Sequence, residues 1–208
     1  MSTAAQSTNR PTTILESSAA FHLDRIARSI EAGVTIVCGF PASGKSTVAR
    51  YLAEHINAVL IDKDTFAPGL EESVMAELTG NAHDRDSEVY MRVVNPHVYT
   101  AFVYEAFSVG HRVPVIVDAP FIGHIRAAAE QGRSLSAYIR STATTPAPSM
   151  QTVWISADPN QIRERMARRG APRDVGKLAN WEAYRSDVLE SGLDADAKTV
   201  VDHVVRNT

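Results

Sequence analysis

The run Gly39-Phe40-Pro41-Ala42-Ser43-Gly44-Lys45-Ser46-Thr47 meets every defined position of G-x-x-x-x-G-K-[ST]. In that pattern a glycine-rich loop turns its backbone N–H groups toward one point, where a phosphate sits. Lys45 adds a full positive charge for the β- and γ-phosphates, and Ser46 offers a hydroxyl to Mg²⁺, a hard cation that prefers oxygen. The loop from Gly39 through Pro41, Ala42, Ser43, Gly44, Lys45 and Ser46 to Thr47 is therefore expected to hold ATP with Mg²⁺. Three acids stand where such a site needs them. Asp118 follows Val115-Ile116-Val117 and is a candidate to hold the metal ion. Asp62 and Asp64 lie two residues apart, on one side of an extended segment. Phosphoryl transfer to an alcohol needs a carboxylate that takes the hydroxyl proton. Either acid could serve. Asp64 is the stronger candidate for the base, and Asp62 is a second candidate beside the metal. Arg163, Arg165, Arg168, Arg169 and Arg173 crowd one short stretch. Arg165 and Arg169, four apart on one helix face, are the first candidates to neutralise a transferring phosphoryl group, with Arg173 and Lys177 behind them.

These side chains need a frame. Val34 to Cys38 reads as a short buried strand before the loop, and Ser46 to Ile56 as an amphipathic helix after it. Further strands are expected at Ala58–Asp62, Val113–Asp118, Thr152–Ser156 and Thr199–Val205, with helices between them. Pro96 must kink or divide a helical segment from Ser87 to Val109 that Gly110 ends. Asp158-Pro159 should cap and open a helix closed by Gly170, and a further helix should run from Val175 to Ser191 with Gly192 as its stop. Continuous apolar strands alternating with helices indicate an α/β fold whose parallel sheet is covered on both faces. Ligands sit at the carboxyl ends of such strands, so the loop and the three acids should share one edge.

The chain of 208 residues is expected to form one domain: a small, polar tail over 1–12, then a single unit over 13–208. Within that unit Ile14, Leu15, Phe21, Leu23, Ile26 and Ile30 outline an N-terminal helix over 13–32, packed on a core at 34–205 or open to a protein partner. A net charge of -3 gives no reason to expect nucleic acid as a partner. The single cysteine, Cys38, cannot form an internal disulfide and reads as core filling, which fits a cytoplasmic setting. No apolar stretch is long enough to span a bilayer. The histidines show no metal-ligand spacing; His83 and His124 read as exposed or capping side chains within reach of a substrate. Trp181 and Tyr184 read as core.

Four segments carry a resemblance: Gly39–Thr47, Ile61-Asp62-Lys63-Asp64-Thr65-Phe66, Val117-Asp118, and Arg165 to Gly170. Together they resemble the small AAA-type P-loop kinases that include zeta-type toxins, polynucleotide 5′-kinases and antibiotic phosphotransferases of the chloramphenicol type. The resemblance implies a P-loop NTPase fold, a five-stranded parallel sheet in the order 2-3-1-4-5 with an arginine-rich lid. It implies an ATP-dependent phosphotransferase acting on a small-molecule hydroxyl, with Asp64 as base and Arg165 and Arg169 in the lid. A nucleotide-sugar kinase and a regulatory ATPase without an acceptor are the alternatives. Where polynucleotide kinases carry an arginine after the base, this chain has Ala67 and Pro68, which speaks against a nucleic-acid acceptor.

Overall fold

The computed structural model describes residues 17–30 and 32–207. The expected tail at 1–12, and Ile14 and Leu15 of the expected first helix, lie outside the described residues. Five parallel strands form one sheet: β1 (Gly33–Gly39), β2 (Val59–Asp62), β3 (Pro114–Asp118), β4 (Met150–Ser156) and β5 (His203–Arg206), in the order β2-β3-β1-β4-β5. This is the expected α/β architecture. The apolar runs of the inner strands explain the layering, because successive residues serve opposite faces. Val34, Ile36 and Cys38 of β1, Val115 and Val117 of β3, and Trp154 of β4 belong to one buried cluster. Val37, Ile116, Val153 and Ile155 belong to the other. Edge strand β2 is less covered, and Val59 and Leu60 remain exposed.

On the first face lie α5 (Asn95–Gly110), α6 (Ile122–Glu130), α7 (Leu135–Thr142) and α11 (Leu193–Val200). On the second lie α1 (Ser17–Arg28) and α2 (Lys45–Ile56), whose Leu23, Ile26, Val48 and Leu52 fill the space against the sheet. The first helix thus commits an apolar face to its own core, and Phe21 stays exposed. Cys38 is fully buried, its Sγ 3.3 Å from the Val153 carbonyl; burial raises its thiol pKa far above the ordinary range.

The chain departs from sequence expectation at two places. Asp62 and Asp64 are not in one extended segment, because β2 gives way at once to a helical turn, α3 (Lys63–Phe66). Asp62 caps that turn by accepting the Asp64 N–H at 2.8 Å. Pro96 does mark a division of the long helical segment, as expected. A π-helical turn over Tyr90–Val94 precedes α5 and Pro96 sits in its first turn, where a missing N–H costs nothing. The expected helix at Val175–Ser191 is broken into α9 (Val175–Ala179), α10 (Trp181–Tyr184) and a π-helical turn at Arg185–Leu189. Gly192, in the left-handed region at φ 89°, leads directly into α11 (Leu193–Val200), where the last strand was expected to begin.

Candidate active site

The loop between β1 and α2 adopts the conformation its sequence requires. Ala42 and Gly44 have positive φ, 62° and 96°, so consecutive N–H groups turn inward as an anion nest. Gly44 needs to be glycine because its φ lies in the left-handed region, and an added Cβ would also run into the Asn207 side-chain amide. Two neighbours fix the loop through the Ser43 carbonyl, which accepts from Arg165 at 3.0 Å and from Asn207 Nδ2 at 2.7 Å. Asn207 was not expected; it follows β5 and carries no motif. Lys45 is buried and makes no ion pair among the described residues. With no acid in direct contact, its ammonium is available to a phosphate.

Asp118 ends β3 beside this loop, in register with Val37 on one side and Asp62 on the other. It is buried, and its Oδ1 has no hydrogen-bond partner among the described residues. Burial raises its carboxyl pKa, while Lys45 and the Ser46 hydroxyl pull it down. An orphaned carboxylate oxygen next to a serine hydroxyl is a donor set that suits Mg²⁺, which takes one or two protein oxygens and completes its shell with waters and phosphates. Among the described residues no cluster of three or more His, Cys, Asp or Glu is present, so a dedicated protein cage is not the pattern here.

Beyond Lys45 a cavity of about 720 Å³ opens, with Asp64 on its wall. Asp64 is paired through Oδ2 with Arg173 at 2.7 Å, and its side chain is about half exposed. The arginine-rich segment is split in its roles. Arg165, on α8 (Pro159–Arg169), reaches the phosphate loop. Arg169 lines the cavity but is held by Asp174, with contacts of 2.8 Å from Nε and Nη2. Arg173 lies on the candidate base, and Lys177 pairs with Asp86. Arg163 stacks over Trp181 at 5.5 Å. Trp181 is core, whereas Tyr184 lines the cavity with its hydroxyl buried and without a partner.

A polar cluster beside Asp64 was not visible in the sequence. Lys63 Nζ lies 3.3 Å from Glu71 and 2.9 Å from the Tyr90 hydroxyl, which itself donates to Glu71 at 2.6 Å. Arg85 completes it at 3.1 Å from Glu71. Lys63 and Glu71 are buried. Burial, and then Glu71, push the Tyr90 phenol pKa far up, so it stays protonated and donates. Because Lys63 precedes Asp64, this cluster pins the turn that carries the candidate base. His83 meets Glu72 at 3.6 Å on the surface, in keeping with its expected exposure. His124 is neither exposed nor capping. It packs on Tyr99 and Phe121, ring centroids 4.9 and 5.2 Å away, and burial lowers its pKa to about 4.

No helix of the described residues is long and apolar enough to cross a membrane. Comparison with known proteins supports the architecture. The shikimate kinase from Acinetobacter baumannii, solved in complex with shikimate, superposes with a TM-score of 0.54 at 18% identity, over 88% of each chain. The shikimate kinase from Bacteroides thetaiotaomicron gives 0.52 at 16% identity, over 85% of this chain and 88% of the other. Among curated proteins none matches. The family described as AAA domain matches residues 34–202, the span from the strand before the phosphate loop to the start of the last strand, and the chain belongs to that family.

Proposed function

We propose that this protein is a P-loop kinase that moves the γ-phosphate of ATP to a hydroxyl of a small molecule. The observation that carries this reading is Asp64: a half-exposed carboxylate on the wall of a cavity that Lys45 also lines, with one oxygen paired with Arg173. A plain ATPase needs no such chamber beside its phosphate loop. The two shikimate kinases bear the same reaction class in their names.

In this account the 39–47 loop binds the triphosphate through its N–H groups, and Lys45 offsets charge on the β- and γ-phosphates. Asp64 Oδ1 accepts the proton of the acceptor hydroxyl as its oxygen bonds to the γ-phosphorus and the bond to the β-phosphate oxygen breaks. Arg165 steadies the loop, and Arg169 and Arg173 place positive charge over the transferring group. Mg²⁺, when bound by Ser46 and Asp118 with Asp62 nearby, would supply neutralisation of phosphate charge.

The test is Asp64→Asn, which keeps shape and removes the proton acceptor. Phosphotransfer turnover should fall by about 10²–10⁴-fold, while ATP affinity by calorimetry changes by less than about threefold. Near-normal phosphotransfer in this variant would remove Asp64 from its role.

A further inference from the structure

The acceptor end of the cavity has a charge pattern that the phosphate end does not. Lys63 and Arg85 are both committed to Glu71, at 3.3 and 3.1 Å, Arg169 to Asp174 at 2.7 Å, Arg173 to Asp64 at 2.7 Å, and Lys177 to Asp86. The other basic side chains of the wall are Lys45, which belongs to the triphosphate, and Arg126, which is exposed. The rest of the wall carries no formal charge: it is apolar at Met91, Pro96, Val103, Ile122 and Ile139, and polar at Asn95, Thr100, Tyr138 and Thr142. His124 stands at the same wall, its ring centroid 6.0 Å from that of Tyr138. Burial keeps it neutral, so it can donate or accept one hydrogen bond without bringing charge.

We propose that the acceptor is an uncharged, amphipathic alcohol whose apolar or aromatic body seats among Met91, Val103, Ile122 and Tyr138 while its hydroxyl faces Asp64. This rests on the kinase reading and narrows it. A phosphorylated or carboxylated acceptor would have to share the paired cations with their acids and with the transferring phosphate, or reach out to the exposed Arg126. It would also meet Asp64 and Asp86. A bare polyol would leave the apolar side chains of the wall uncovered. A molecule with one apolar face and one or two hydroxyls satisfies both halves of the chamber. Its volume lies within the usual range for small-molecule sites, of roughly 300–1,000 Å³.

The experiment measures ester formation by phosphorus NMR with Mg²⁺ and ATP against four probes: 3-phenylpropane-1,2-diol, glucose, shikimate and uridine diphosphate N-acetylglucosamine. Transfer to the phenyl diol is expected with a kcat/KM at least about tenfold above each of the others. Met91→Asp, at a half-exposed site on the cavity wall, should raise KM for the diol about tenfold or more and leave the KM for ATP within about twofold. Tyr138→Ser should act in the same direction from the opposite wall, which guards against a folding defect in either variant. Preferred transfer to shikimate or the nucleotide sugar overturns the inference and keeps the kinase reading. So does preferred transfer to glucose, or indifference of diol KM to both substitutions. ATP turnover that requires Lys45 but yields only inorganic phosphate with all four probes overturns both.

Discussion

Lys63 and Asp64 are neighbours in the chain with opposite surroundings: the lysine is buried against Glu71 and Tyr90, and the aspartate faces the cavity. Glu71 is the sole acid that Lys63 and Arg85 pair with among the described residues, and Tyr90 donates to it as well. Removing it strands two positive charges, one of them buried. Glu71→Ala should therefore cost about 3–5 kcal/mol of stability, read from urea unfolding. His124 makes a pH prediction. The unfolded imidazole takes up a proton near pH 6.5, the folded one only near pH 4, so between these values the unfolded state binds more protons. Stability is thus lost as pH falls from 6.5 toward 4, and is untouched above 6.5. His124→Phe should flatten that part of the profile, by about 1–3 kcal/mol at its acid end after allowance for partial exposure. Lys45, Ser46 and Asp118 were legible in the sequence because a strand, a loop motif and a strand end fix their places locally. The Lys63–Glu71–Tyr90–Arg85 cluster was not, since it depends on how α4 (Pro68–Thr79) and the Tyr90 turn fold back on α3.

At the scale of elements, Gly110 shows how a correct boundary can have a different cause. Glycine at a helix end suggests a left-handed cap, yet Gly110 is the last residue of α5 and its φ is not positive. It is small because β1 lies against it: an added Cβ would stand 2.6 Å from Val34 Cγ2 and 3.2 Å from Pro148 Cγ. Gly110→Ala should then destabilise by about 1–3 kcal/mol through overpacking, measured by thermal unfolding, and Val34→Ala in the same chain should recover part of that loss by making room for the methyl group. The five strands were legible as apolar runs, with the last misplaced toward its start. α11 holds Leu193, Ala197 and Val200 on a buried face, but its Ala-Asp-Ala centre shows little apolar contrast, so Gly192 read as an end and not a beginning. The π-helical turns at Tyr90–Val94 and Arg185–Leu189 had no signature, because a single extra residue in a turn leaves the apolar period nearly unchanged.

Across the whole molecule, two ion pairs join the segment after α8 to the acceptor side: Arg173 with Asp64, and Lys177 with Asp86. Asp64 and Asp86 are about half exposed or more, so these contacts are open to screening. Raising salt to about 1 M should speed amide hydrogen exchange in α9 while leaving β1 protected. The sheet order and the shared edge of Gly39, Asp62 and Asp118 follow from the family's architecture, and the cavity lined by Lys45 and Asp64 opens beside that edge. The central claim is that this chamber receives the γ-phosphate. Its most direct test is phosphorus NMR of the wild-type protein with Mg²⁺, ATP and a panel of neutral alcohols, beside Lys45→Ala and Asp64→Asn. The account predicts a phosphate-ester resonance with the wild type, none with Lys45→Ala, and almost none with Asp64→Asn although ATP still binds that variant. Inorganic phosphate as the sole product, or ester formation that survives loss of the Asp64 carboxylate, would contradict it.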